Sequence, residues 1–283
     1  MKLRRPGAAA WVFLLLFACD GKGILEVHGD VPAQTQQGLT YFHDVEPIIS
    51  SRCGNCHVQG GIAPFALQSY DDVVTRGSVI VSSTEKRSMP PWPPAAGHHK
   101  LKFDRSLSDD EISLLRKWVD DGMPEGDPSE HREIIKDNDP QIRVDVQMQM
   151  SEAYTPPKGQ DDDYRCFVLD PANVQDEFVT GYNVLPGVKA MAHHVVMYVV
   201  PVTGSAMQKV QAADAADPAP GYRCEGGPGV TVPDNEPQIR MLGSWKPGGS
   251  AVPLPDGTGL KIAAGEKILL QMHYAMLTAD AAD

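Results

Sequence analysis

The stretch "CGNCH", residues 53–57, constrains this chain more than any other, because it sets two thiols three positions apart with an imidazole directly after them. In that arrangement both thiols can add to the two vinyl groups of a haem while the adjacent His57 binds its iron. A thioredoxin-like redox pair would need a βαβ setting, and a zinc site would need a second pair of ligands at short range. Neither is visible around Cys53 and Cys56. The motif therefore predicts covalent haem c, with Cys53 and Cys56 as attachment points and His57 as proximal ligand.

The flanking segments agree with that reading. "TYFHDVEPIISSRCGNCH" offers a polar start at Thr40 and then a short helical pattern that delivers the cysteines at its end. "SLSDDEISLLRKWVDDGMP" sets Ser108 and Glu111 at capping-box spacing, Ile112, Leu115, Trp118 and Val119 on one face, and Gly122 as a stop. Two helices thus bracket residues 40–128, and between them the prolines of "SMPPWPP" hold the chain extended and present Met89 on a loop. These features resemble the small monohaem cytochrome c family. The resemblance implies a small all-α domain over residues 40–128 and a distal iron ligand at Met89. The alternative makes Met89 a packing residue and gives the iron to His98 or His99 in "AAGHHK". A methionine ligand raises the haem potential relative to two histidines, which suits acceptance of electrons from an external donor.

The start of the chain predicts export. Lys2, Arg4 and Arg5 precede the apolar run Ala8 to Phe17, the layout of a secretory signal over residues 1–18 that is too short to span a bilayer. Its end, "LFAC", resembles the lipobox of bacterial lipoproteins, which implies that Cys19 becomes the lipid-bearing first residue. Residues 19–39 would then tether the protein to a membrane of the bacterial cell envelope, on the periplasmic or outer surface. Plain cleavage after Ala18, leaving Cys19 a spare thiol, is the alternative. No other stretch is long and apolar enough for a transmembrane helix. A net charge of −12 over 283 residues argues against nucleic-acid binding. The length accommodates two domains. In an oxidising compartment the remaining four cysteines are redox or structural devices: Cys53 with Cys56, and Cys166 with Cys224, which stand 58 residues apart.

After a polar linker over residues 129–150, the helical period disappears. "YRCFVLDP", "FVTGYNVLPG", "AMAHHVVMYVVP" and "GLKIAAGEKILLQMHYAML" are apolar or alternating runs separated by turn signals, an all-β antiparallel sandwich pattern over residues 151–283. "DAADPAP" and "GGPGVTVPDNEP" read as its long loops. The third run carries His193 and His194 side by side. On a regular strand only one of two neighbours can enter the core, and burying both without partners would cost several kcal/mol. His273 lies on another run, and three neutral imidazoles with no acidic partner suit copper or zinc. Composition alone does not join them into one site.

The stretches "YRCFVLD", "AHHVVMYVV", "GYRCEGGPG", "LGSWKPGGSAVPLPDGTGLKI" and "LLQMHYAM", taken in order over about residues 160–277, resemble the copper type II ascorbate-dependent monooxygenases, the family of the peptidylglycine alpha-hydroxylating and dopamine beta-monooxygenases. The resemblance implies the family's N-terminal copper domain, a jelly-roll-like β-sandwich with an electron-transfer copper on His193, His194 and His273. It also implies a disulfide between Cys166 and Cys224. Two adjacent histidines can share that ion only if the strand is irregular there or the metal sits at its edge. Met197 and Met272 read as core packing.

The family's catalytic copper takes a His-x-His pair and a methionine in a following domain, whereas this sequence has no His-x-His and ends ten residues after His273. The expectation is the electron-input part of a copper-dependent monooxygenase, unable to hydroxylate alone. Electrons would pass from an external donor to haem, to copper, and to a catalytic copper in a missing region or partner subunit. The alternatives are a stand-alone haem–copper electron-transfer lipoprotein and a copper-binding module with no redox task.

Overall fold

Thr40, in extended backbone, opens the first helix of the computed structural model, its N–H held by Asp44 Oδ2 at 2.8 Å. The structure describes residues 38–94, 101, 104–131 and 140–276. The signal segment, Cys19, His98 and His99 lie outside the described residues. Helix α1 is a single α-helical turn, Glu46–Ile48, flanked by wider π-helical turns over Tyr41–Val45 and Ile49–Cys53. The second of these ends on the first cysteine of the "CGNCH" motif.

Two capped helices pack on it. In α2, Tyr70–Glu85, the Ser69 hydroxyl accepts from Asp72 N while the Asp72 carboxylate accepts from Ser69 N; in α3, Asp109–Asp120, Ser108 and Glu111 do the same. Leu115 and Trp118 of α3 are buried with Ile48 of α1, with Tyr41, Val45 and Ile49 of the turns beside it, and with Val73 and Ile80 of α2. Arg52 donates to Glu111 Oε1 at 3.2 Å and so pins the turn after α1 to the start of α3. Gly122 takes φ +86°, a left-handed conformation that stops α3 as expected from glycine at a helix terminus.

The remaining residues are built on one five-stranded antiparallel sheet in the order β5-β1-β9-β4-β6. Its members are β1 Asp162–Leu169, β4 Ala192–Val200, β5 Tyr222–Arg223, β6 Arg240–Trp245 and β9 Lys267–Ala275. Two ribbons flank it, β2 Glu177–Val179 with β8 Leu260–Ile262, and β3 Gly181–Tyr182 with β7 Val252–Pro253.

Alternation along the strands builds two cores. On one face Val195, Met197 and Val199 of β4 meet Ile268, Met272 and Tyr274 of β9 and Phe167 of β1. On the other, Val200, Leu269 and the Cys166–Cys224 disulfide meet Ala206 and Val210 of helix α4, Ala206–Ala216. Met197 and Met272 are core residues, as the sequence indicates.

The expected fold class, a small all-α cytochrome c domain followed by an all-β sandwich, does not hold. From Leu39 onward the chain is one compact unit, so the helical part is not a domain of its own. The β part is not all-β either, because α4 covers one face of its sheet. Alanine, glutamine and lysine in "AMQKVQAADAA" favour a helix, although the tail of this segment reads as a loop from its Pro-rich surroundings. No helix among the described residues is long and apolar enough to cross a membrane.

Candidate metal centre

Three neighbouring strands carry the site. Tyr164 of β1 stands opposite His273 of β9, and His273 stands opposite His194 of β4. Strands lie about 4.8 Å apart, so this register alone brings His194 and His273 together from 79 residues apart. His193 joins them through an irregularity. Ala192 pairs with Tyr274 and His194 with His273, leaving His193 as an extra residue, a β-bulge in β4. The bulge removes the alternation that would send adjacent rings to opposite faces.

The three Nδ1 atoms form a near-equilateral triangle, 3.2 Å from His193 to His194, 2.9 Å from His193 to His273 and 3.1 Å from His194 to His273. Nitrogen ligands about 2.0 Å from a tetrahedral ion stand about 3.3 Å apart, so the triangle has the size of one face of such a site. Three nitrogens this close do not satisfy one another as neutral rings, because every neutral imidazole has one N–H and one lone pair. The second ring nitrogen of His273 shows which is which. Its Nε2 lies 2.6 Å from Asp162 Oδ1; a carboxylate only accepts hydrogen bonds, so Nε2 carries the N–H and the Nδ1 lone pair is turned toward the other two rings. Tyr164 stacks on the same ring at 4.1 Å with 6° between planes.

Burial sets the charge state. Desolvation, followed by the neighbouring His273, holds both His193 and His194 below the ordinary histidine range, so the pair favours the neutral, ligating form. His273 is buried, His194 half-buried and His193 exposed, so the triangle is reached from solvent at one corner. The cluster could hold one metal ion of the kind that imidazole suits, copper or zinc among them. Two clefts of about 310 and 320 Å³, one between β6 and β8 and one between the first helical turn and α2, have none of the three histidines in their walls.

The "CGNCH" motif forms a separate site. His57 N–H donates to Cys53 O at 3.0 Å, Leu67 N–H donates back to His57 O at 2.9 Å, and Phe65 O lies 3.0 Å from His57 Nδ1. A proton on Nδ1 shared with that carbonyl leaves Nε2 with a lone pair, the state a haem iron takes. Burial pushes the Cys53 thiol up to about 12, with Cys56 adding to the shift. A thioredoxin-like cysteine is shifted the opposite way. Neither cysteine is in a disulfide. Met89 follows α2 with 45% of its surface exposed, outside the buried cluster of the helices.

Cys166 and Cys224 form the disulfide that the sequence resemblance implies. The expectation of histidines with no acidic partner is corrected by Asp162, which sequence reasoning missed together with Tyr164. Both share a face of β1 with Cys166, at a spacing of two, but only the pairing of β1 with β9 shows which histidine they meet. No protein-family model matches the chain, and no curated protein matches it.

Proposed function

We propose that this chain is the electron-input part of a copper-dependent monooxygenase, with its catalytic copper carried elsewhere. The observation that supports it most is the triangle of Nδ1 atoms at 2.9–3.2 Å on His193, His194 and His273. A copper ion held there would take up and pass on single electrons, and a haem on Cys53, Cys56 and His57 would supply them from an external donor. Asp162 fixes the tautomer of His273. The bulge holds His193 and His194 on one side of β4, and Phe65 O orients His57. The same reading puts the chain at the bacterial cell envelope with Cys19 lipid-bearing, and keeps Met89 as the proposed distal ligand.

A second reading is a haem–copper carrier with no hydroxylase partner; the two clefts described above lie away from the histidines. Metal analysis and spectroscopy test both readings. The expected result is one covalent haem and one copper per chain, with His193→Ala losing copper while the haem spectrum stays intact, and Cys53→Ser with Cys56→Ser losing covalent haem while copper stays. Zinc retained in place of copper, or a chain exported without haem, would overturn them. Hydroxylation restored by adding a second copper protein would separate the first from the carrier.

A further inference from the structure

The turn that follows β6 joins the two sites. Trp245, the last residue of β6, stands opposite Val195 of β4, the residue next to His194. Beyond it, Gly249 N–H donates to Lys246 O at 2.8 Å, closing a tight turn, and the Trp245 indole N–H donates to Gly249 O at 3.3 Å. At the apex, Gly248 lies against the haem-attachment motif. A Cβ placed on it would sit 3.1 Å from Cys56 Sγ, 3.2 Å from Asn55 Cβ and 2.5 Å from Arg105 Nη1. Its φ of +71° also favours glycine. Lys246 Nζ stands 5.6 Å from the centroid of the Trp92 ring, a cation–π contact to the "SMPPWPP" segment. Three separate stretches of the helical part, Asn55–Cys56, Trp92 and Arg105, therefore converge on one turn of the metal-bearing sheet.

Connectivity follows from these contacts. Cys56 Sγ meets Gly248 across a van der Waals gap, and one peptide bond leads to Gly249. A hydrogen bond leads on to the Trp245 indole, a cross-strand pair to Val195, and one further peptide bond to His194.

We propose that Trp245–Gly249 is the relay by which one electron passes from the Cys56 side of the haem motif to His194. This rests on the haem–copper reading above. The step is the oxidation of one ferrous haem to ferric coupled to the reduction of one cupric ion to cuprous, with no bond made or broken. The haem is recharged by its external donor.

The test uses the full chain loaded with both groups. The haem is reduced in a flash by a photogenerated flavin semiquinone, and its reoxidation is followed optically. In wild type, a reoxidation phase independent of protein concentration is expected with copper bound and not without it. Trp245→Phe, which keeps an aromatic ring but removes the indole N–H, is expected to slow that phase several-fold, and Gly248→Val to slow it more, with haem and copper contents unchanged. In the chain produced without haem and without copper, where Cys56 keeps its free thiol, Gly248→Val is expected to raise the alkylation rate of Cys56 by pushing the turn away, while Trp245→Phe leaves it unaltered. Unchanged transfer in both variants, or unchanged Cys56 alkylation in Gly248→Val, overturns the relay and leaves the proposed function standing. A wild-type chain that takes up both groups and shows no intramolecular phase overturns it too, and one that fails to take up both overturns relay and function together.

Discussion

Asp162 shows how one residue decides what a histidine cluster can do. Without it, the proton of His273 could rest on either ring nitrogen, and one of the two tautomers would turn an N–H toward the triangle. With Oδ1 at 2.6 Å from Nε2, the proton is held on the outer side. Carboxylate partners of this kind typically govern metal affinity by about 10–100-fold. Because the Asp162 side chain is 56% exposed, the lower end of about 10-fold is expected for Asp162→Ala, read by competition with a chelator of known affinity. An unchanged affinity would mean that His273 orients itself by its stack on Tyr164 alone. The three histidines were legible as residue types, because two adjacent imidazoles on a Val-rich run have few bland explanations. Asp162 was not, because its partner is 111 residues away and only strand register connects them.

At the scale of elements, what the sequence revealed depended on whether the signal was local. The α3 cap was readable because Ser108 and Glu111 make a reciprocal pair within one turn. Helix α2 was not, although Ser69 and Asp72 cap it in the same manner. Its text, "YDDVVTRGSVIVSSTE", is rich in β-branched residues and carries Gly77 at its centre, so propensity speaks against it. Tertiary packing outweighs that preference. A Cβ on Gly77 would stand 2.7 Å from Met123 Sδ, so the glycine lets the chain after α3 close onto α2. The bulge in β4 was foreseeable in kind from the chemistry two neighbouring ligands need, but its position relative to β9 required the register. The disulfide links β1 to the residue just after β5 and closes a 58-residue separation. Replacing Cys166 and Cys224 by serine is expected to cost about 4 kcal/mol in denaturant unfolding, from the loop entropy returned to the unfolded chain. A cost below about 1 kcal/mol would mean that α4 and β5 hold that face without it.

For the molecule as a whole, the division into an all-α domain and an all-β domain failed for physical reasons. Periodicity reports the secondary structure of a segment; it does not report whether two segments share an interface. The turn at Gly248 and the cation–π contact at Trp92 bind the helical part to the sheet through loops, where no periodic signal exists. Acid stability provides a global test of another long-range tie. Arg240 of β6 donates to both Glu266 oxygens, at 3.0 and 2.6 Å, and this ion pair, ahead of a bond from Ala263 N, holds the Glu266 carboxyl below the ordinary glutamate range. A depressed carboxyl contributes its full stability above the unfolded value of about 4.3 and loses it as pH falls through the folded value. Glu266→Gln is therefore expected to lower stability by about 1–2 kcal/mol at pH 7, with the difference from wild type shrinking below about pH 4. Urea unfolding across that range checks it, and a difference independent of pH would assign the loss to packing instead.

The proposed haem-to-copper transfer would require three imidazoles serving one ion. Pulsed electron paramagnetic resonance of the Cu(II)-loaded chain counts coordinated imidazoles through the hyperfine coupling of their remote nitrogens, which makes it the most direct test. Three coordinated imidazoles are expected in wild type, with His193→Ala, His194→Ala and His273→Ala each altering the coupling and weakening copper retention. A copper signal with fewer than three, or one that His273→Ala leaves unchanged, would contradict it.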